Sequence, residues 1–355
     1  MHKRILALVI SGLASGWVSA QSNVTMYGLV DVGYNNIRTS GKPSQNSIDS
    51  SLLSGSRLGF KGTEDLGGGL KALFVLEYAL SNDTNSALGA DSKWSASATR
   101  QSYVGVSNDK YGTVVGGRLQ GAAFKWACTY SPLTGGIFGT DSRLGARTNL
   151  DCGDRGRSEN AVGYISPEMA GFTVELNHVR LGDYKSRVPT NEVPNAFANV
   201  VGVTYRHADL QVGAVYNAIH NDPRTSSPAT LGKEIREFGI GAAYDFKVVK
   251  LYATYANNKV EGATAQSKYQ IGAAVPVSAK GSVVGSYAAN KLHTTDGDSK
   301  VWSVAYLHEL SKRTTLYAGY GQMNNQANAT TGMGLEASTP GGSSSVVAAG
   351  VRHSF

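Results

Sequence analysis

From residue 24 to the C-terminus, apolar side chains recur at every second position in segments of about ten residues, the length of a strand that crosses a membrane at a tilt. The last segment shows this most clearly. Val347, Ala349, Val351, His353 and Phe355 fall on one face, and Ala348, Gly350, Arg352 and Ser354 on the other. A period of two belongs to a β-strand whose faces meet different surroundings.

Sixteen segments carry the pattern. The first is marked by Val24, Met26, Val30, Val32 and Tyr34, the second by Leu58 and Phe60, and the third by Phe74, Leu76 and Tyr78. The fourth is read with Tyr103 outward and the fifth, a short one, with Thr113 and Val115 outward. Val162 and Tyr164, Phe172 and Leu176, Val201 and Tyr205, Val212 and Tyr216, then Phe238 and Tyr244 mark the sixth to tenth. Leu251 and Tyr255, Tyr269 and Ile271, Val283 and Tyr287, Trp302 and Tyr306, then Leu316 and Tyr320 lead to the C-terminal segment.

The connectors alternate without a break. Long ones fall near residues 38–50, 81–94, 119–156, 182–198, 221–233, 258–267, 292–299 and 324–343, with tight turns such as Asp65–Gly69, Arg206–Asp209 and Lys247–Lys250 between them. A soluble β-sandwich has no reason for that alternation, whereas a closed antiparallel transmembrane barrel with both ends on one side requires an even strand count and puts its short turns on one rim. Closure also removes the unpaired edges that lipid cannot solvate. The expected fold is all-β: a sixteen-stranded antiparallel transmembrane β-barrel in a single domain over residues 21–355.

Composition changes this picture little. Mean hydropathy is −0.20, a soluble-looking value, because only every second strand residue faces lipid. Eighteen Tyr against four Trp and nine Phe suits membrane interfaces, where amphipathic rings settle. Residues 1–20 read as a signal peptide: His2, Lys3 and Arg4, an apolar run from Ile5 to Val18, then Val18-Ser19-Ala20 before an expected cleavage ahead of Gln21. The run is shorter than the roughly 20 residues of a spanning helix, which disfavours an uncleaved anchor. Cleavage would lower the formal charge by two from +7.

Cys128 and Cys152 are the only cysteines. In an oxidising exported compartment the simplest outcome is one disulfide between them, and two thiols without nearby His make a poor zinc site. The histidines His178, His207, His220, His293, His308 and His353 are scattered without a nucleophile or carboxylate spacing, and no HExxH or phosphate-loop motif appears. No cofactor, metal or catalytic residue is expected. The pI of about 9.2 comes from dispersed charges, not from basic patches interleaved with aromatics, so no nucleic-acid partner is expected. The connector between Arg118 and Arg157 is out of proportion to the others, lacks a strand pattern and contains both cysteines. A loop this long in a compact domain is functional or disordered, and a disulfide across it favours function.

Ser56-Arg57-Leu58-Gly59-Phe60-Lys61-Gly62, Glu64-Asp65-Leu66-Gly67, Arg100-Gln101-Ser102-Tyr103-Val104-Gly105, Gly117-Arg118 and the final Gly350-Val351-Arg352-His353-Ser354-Phe355 resemble, in order, the general diffusion porins of Gram-negative outer membranes, most of all the trimeric porins of β-proteobacteria. The resemblance implies an inward-folded third outer loop that faces a row of wall arginines with loop carboxylates. Arg57 and Arg100 fall on two of those arginines and Arg157 on the third, with Arg155 as the alternative. Arg118 falls at the loop base, Glu77 on a lumenal carboxylate, and Asp141, within Ile137-Phe138-Gly139-Thr140-Asp141, on the loop acid. The Pro-Glu step expected before that acid is missing, so Asp151 and Asp154 are candidates to supplement it. Phe355 matches the signal read by the outer-membrane assembly machinery. The implied partners are further a homotrimer, outer-membrane lipid and lipopolysaccharide, and small anionic or neutral solutes.

Strand parity puts Arg57 in the lumen against Leu58 and Phe60, Glu77 against Leu76 and Tyr78, Arg157 against Val162 and Tyr164, and Arg100 against Tyr103. A row of permanently charged guanidiniums in a narrow pore concentrates anions. The expected function is therefore a water-filled outer-membrane channel for passive diffusion that prefers anions. A solute-specific channel for phosphate or organic anions, an outer-membrane enzyme on a smaller barrel, and a surface adhesin with a closed lumen are the competing readings.

Overall fold

A computed structural model describes residues 23–85, 88, 99–140, 149–181, 195–221, 232–293, 296–333 and 338–355. Residues 1–20, read as a signal peptide, and Asp141 lie outside the described residues.

The strands are β1 (Asn23–Thr39), β2 (Gln45–Ser50), β3 (Arg57–Gly67), β4 (Leu70–Ala79), β5 (Thr99–Asn108) and β6 (Gly112–Leu119). After helix α1 (Ala122–Thr129) and a short 3-10 turn (Asp154–Gly156) come β7 (Ser158–Ile165), β8 (Phe172–Arg180), β9 (Phe197–His207), β10 (Leu210–His220) and β11 (Ile235–Asp245). The series ends with β12 (Lys250–Val260), β13 (Gln266–Pro276), β14 (Gly281–Leu292), β15 (Ser299–Glu309), β16 (Thr314–Asn325) and β17 (Ser343–Ser354). Each strand from β3 onward pairs antiparallel with the next, and β1 closes on β17 from Leu29 opposite Ser354 to Thr39 opposite Ser344.

Seventeen segments make sixteen staves, because β2 and β3 occupy one position. The outer half of β1 pairs with β2 and its inner half with β3. The intervening residues leave the ladder and turn inward, with Leu52 and Leu53 buried. Part of the connector expected near residues 38–50 is thus an extension of the first hairpin.

The closing seam explains a glycine. Gly28 and Phe355 exchange two backbone hydrogen bonds of 3.1 Å, and a Cβ on Gly28 would lie 2.3 Å from the Phe355 ring. At the other turns, Gly67, Gly68 and Gly69 all take left-handed backbone angles, as a tight glycine turn demands.

Burial is inverted relative to a soluble protein. Outward Val24, Met26, Phe238, Ile240, Ile271, Tyr287 and Val347 are exposed, while inward Asn217, Glu237, Asn258, Gln270, Asn290 and Ser303 are buried. The expected parity fails on two strands. On β5, Val104 and Val106 are exposed and Tyr103 faces inward; on β6, Val114 is exposed and Val115 is buried. Tyr103, Val115, Leu119 and Leu73 share an apolar cluster on the inner wall. Both faces are apolar there, so alternation does not mark the lipid side. Arg100 is nonetheless lumenal, through a register shift: Glu77 pairs with Gln101 but Tyr78 pairs with Thr99, leaving Arg100 as the extra residue. Such a bulge re-aims a side chain.

Candidate functional site

The long connector after β6 folds into the barrel and follows its inner wall. Its first part is α1, built on good helix formers, whose Ala122, Ala123, Phe124, Trp126 and Ala127 are buried. Gly121 provides no side-chain cap. The Ala122 N–H instead donates to Asn177 Oδ1 on β8 at 2.8 Å, so the barrel wall satisfies an otherwise orphaned helix donor. Lys125 leaves the packed face and pairs with Glu175 at 2.7 Å.

Inward positions of the wall have been emptied to receive the loop. Trp126 lies on Gly239 and donates its indole N–H to the Gly213 carbonyl at 3.3 Å. A Cβ on Gly213 would come within 2.2 Å of the Tyr130 hydroxyl and one on Gly241 within 2.5 Å of its ring. Pro132 covers Gly272, and Phe138 covers Gly319. Polar bonds fix the path: Gln270 Nε2 to Ser131 Oγ at 2.5 Å, Ser303 Oγ to the Phe138 carbonyl at 2.6 Å, and Thr140 to Ser286 at 3.0 Å. The loop then meets the break between β2 and β3, where the Ile137 N–H donates to the Leu52 carbonyl at 2.6 Å. Asp31 holds that break from behind. Its carboxylate accepts from the Leu53 and Ser54 amides at 3.0 and 2.8 Å and from the Tyr317 hydroxyl at 2.6 Å.

The returning limb is fixed by Glu237, whose side chain is fully buried on β11. Its carboxylate accepts from Asn149 N (2.7 Å), Asn149 Nδ2 (3.1 Å), Asn217 Nδ2 (2.6 Å) and Asn258 Nδ2 (2.7 Å). Cys128 and Cys152 form the expected disulfide, tying the end of α1 to this limb. Asp151 beside it is half-buried, its Oδ1 shielded from solvent and without a hydrogen-bond partner among the described residues, and desolvation pushes its carboxyl above the usual carboxylate range.

Across the lumen stand the arginines. Arg100 Nε donates to Glu77 Oε1 at 2.7 Å, and the Tyr27 hydroxyl donates to Glu77 Oε2 at 3.1 Å. Arg57 lies in the electrostatic field of Arg100, Glu77 and Arg352, and makes no ion pair among the described residues. Arg118, at the loop base, bonds Glu159 at 2.5 Å and Asp154 through its other amino group. Arg157 stacks its guanidinium over the Phe124 ring at 5.0 Å, pairs with Asp154 at 3.4 Å, and feels Arg100, Arg118 and Glu77. Arg155, the alternative, is exposed. Arg352, which alternation puts on the face opposite Val351 and His353, bonds Ser54 at 3.2 Å and Thr315 at 3.3 Å within the field of Arg57. Five guanidiniums, Arg57, Arg100, Arg118, Arg157 and Arg352, thus stand among three directly paired carboxylates of the described residues, Glu77, Asp154 and Glu159.

A sequence profile described as Gram-negative porin matches residues 6–328. The chain belongs to the Gram-negative porin family. Among curated porins it is 30% identical to outer membrane porin protein 32 of Delftia acidovorans over the full length of both chains. It is 29% identical to an outer membrane porin protein of Bordetella pertussis over 90% of this chain and 93% of that one. Among solved structures, an anion-selective porin from Comamonas acidovorans superposes with a TM-score of 0.78 at 26% identity, over 94% of this porin and all of the other. The trimer form of OmpT from Vibrio cholerae shares the fold at 15% identity, with a TM-score of 0.66. The porin assignment places this barrel in the outer membrane of a Gram-negative bacterium, with its long loops outward.

Sequence parity could have found Asp31, between outward Val30 and Val32. Parity against outward Phe238 likewise turns Glu237 inward, but its partners Asn217 and Asn258 come together only through strand register.

Proposed function

We propose that this porin is a general diffusion channel for ions and small hydrophilic solutes with a preference for anions. The single observation that carries this is the excess of guanidinium over directly paired carboxylate on the wall opposite the inward loop. Arg keeps its charge in a partly desolvated site, and a charged ring between low-dielectric walls focuses its field on the passage and raises the local concentration of counter-ions. Arg57, Arg100 and Arg157 set the field, Arg118 holds the loop base, Glu77 orients Arg100, and Asp141, by its resemblance alone, is the candidate loop acid. The relative from Comamonas acidovorans, titled anion-selective, supports the sign. The test is the reversal potential of a planar bilayer in a salt gradient: Arg57→Ser with Arg100→Ser shifts it toward cations, and an unchanged potential refutes the assignment.

The same reading includes cleavage before Gln21, a homotrimer, recognition of Phe355 by the assembly machinery, contact with lipopolysaccharide, and no bond chemistry. A solute-specific channel for phosphate or organic anions is the second reading, favoured by Arg57, which has no ion pair among the described residues. Saturable block by millimolar phosphate would select it.

A further inference from the structure

The first turn of α1 collects hydrogen-bond donors that conduction does not use. The helix starts after Gly121, which offers no side-chain cap, and its first turn carries no acidic residue. Of the leading amides, the Ala122 N–H is taken by Asn177 and the Lys125 N–H by the Gly121 carbonyl. The Ala123 and Phe124 N–H groups donate to no acceptor among the described residues, although both residues are buried. The positive end of a helix dipole thus lies in the interior with free amides. Two side chains add to the set. Gln120, just before the cap, has a buried Nε2 without a partner, and Arg157 a buried Nε without one. Leu119 stands opposite Ser158 in the β6–β7 ladder, so the next step brings Gln120 and Arg157 side by side. The Arg157 side chain is only 6% exposed, and its guanidinium lies 5.0 Å over the ring of Phe124, the third residue of the helix. Gly156 closes the other side, where a Cβ would lie 1.9 Å from the Asp151 carbonyl oxygen and 3.2 Å from Phe124 Cα.

The surrounding carboxylates do not answer these donors. Asp154 accepts from Arg118 and, at 3.4 Å, from one amino group of Arg157, while Glu159 accepts from Arg118. Asp151 turns its carboxylate to the Gly153 amide, with Lys268 ahead of Arg157 among the cations in its field. A nearly desolvated guanidinium is therefore left with one shared, long ion pair, less compensation than a buried charge requires, and buried donors in folded proteins are normally satisfied. Water is the rival occupant, and it would need the orphaned Asp151 Oδ1 to receive its protons. An anion needs no such acceptor and takes bonds from all four donors.

We propose that the base of the inward loop binds one small inorganic anion of halide size, held by the Ala123 and Phe124 amides, Gln120 Nε2 and Arg157 Nε. Helix-start amides beside a guanidinium supply the donors and the sign of charge that an anion seeks, and the close packing at Gly156 favours a halide over a larger oxyanion. The anion belongs to the anchorage of the loop and is not a permeating ion. It caps α1, ties it to β7, and offsets part of the Arg157 charge, which moves weight in the pore field to Arg57 and Arg100. This goes beyond the diffusion reading and does not rest on it.

The test uses the whole barrel in detergent. Crystals grown in sodium bromide locate a halide by its anomalous scattering, and hydrogen exchange of the segment 119–127 is followed against chloride at constant ionic strength, with bulky gluconate as the balancing anion. The site predicts a bromide peak within hydrogen-bond distance of the Phe124 amide and Arg157 Nε, and a slowing of exchange that saturates with chloride. Gln120→Leu should weaken the chloride response about tenfold through loss of one bond to a charged ligand, and Arg157→Gln should abolish it. Asp151→Asn, which removes a nearby negative charge, should tighten it, and a charge control in the tight turn between β15 and β16, Lys312→Gln/Arg313→Gln, should respond like the wild type. Equal exchange in chloride and gluconate, or a Gln120→Leu barrel with the wild-type response, overturns the site. A density peak at the donors without anomalous signal in bromide shows a water bridging to Asp151 and also overturns it. Bromide at the site of a barrel that prefers cations would sink the channel reading and leave this one standing, and an anion-preferring barrel without bromide there would do the reverse.

Discussion

The two halves of the lumen are made from the same inward strand positions and do opposite things with them. From β9 to β16 the inward residue is repeatedly glycine, at 213, 239, 241, 272 and 319, and a loop side chain occupies the space that each leaves. From β3 to β7 the wall carries Arg57, Arg100, Arg118 and Arg157 with Glu77, and the space at its inward glycines 59, 105 and 163 is taken by the wall's own Tyr27, Val115, Asn177 and Leu119 and not by the loop. One wall is a bed for the loop, and the other is the charged surface that the loop confronts. Pore width and pore charge are therefore set by different residues, and substitutions should separate them.

The largest effect expected on the bed is at Glu237. Replacement by Leu removes the acceptor that the Asn149 and Asn217 amides use in the wall, at a cost of about 1–3 kcal/mol for each buried donor so deprived. Loop docking should be lost, read as rapid hydrogen exchange across α1 and a larger single-channel conductance. Exchange and conductance like the wild type would show that Glu237 does not hold the returning limb. Removing the disulfide with Cys128→Ser/Cys152→Ser should cost about 2–4 kcal/mol and make the current noisier without changing its ionic preference. Gly241→Val, which meets Tyr130, should cost about 1–3 kcal/mol through overpacking and raise conductance modestly; a fall would mean that the loop shifts toward the arginines.

The smallest effect concerns Asp151. Burial raises its carboxyl pKa, so on acidification it takes up a proton before carboxylates of the ordinary range near 4. Loss of that negative charge makes the lumen more positive, and anion preference should rise as pH falls from neutrality toward that range. Asp151→Asn should flatten this first part of the pH dependence, as read from reversal potentials.

How much of this the sequence disclosed differs between the two walls. Parity held from β8 to β17, where outward Tyr, Val and Leu alternate with Gly, Ser, Asn and Ala. It failed at Tyr103-Val104-Gly105-Val106 and Thr113-Val114-Val115-Gly116, where the inner face is itself an apolar cluster and both registers look alike. Arg100 was placed in the lumen by an alternation that does not exist there; the bulge opposite Glu77 and Tyr78 delivers it. The glycine bed was invisible, because a glycine in a strand announces space without naming the side chain that fills it. Arg352 and Glu237 acquire their surroundings only from register and closure, which bring Ser54 to Arg352 and Asn149, Asn217 and Asn258 to Glu237.

The account stands on the claim that the arginine wall sets the charge preference while the loop sets the width. The most direct measurement is the reversal potential and conductance of the wild type and of Arg57→Ser/Arg100→Ser in the same salt gradient, at low ionic strength where the Debye length grows from about 8 to 30 Å. A wild-type potential on the anion side that moves toward cations in the variant, with a comparatively small change in conductance, is the predicted result. A potential that does not move, or a wild type that prefers cations, would contradict it.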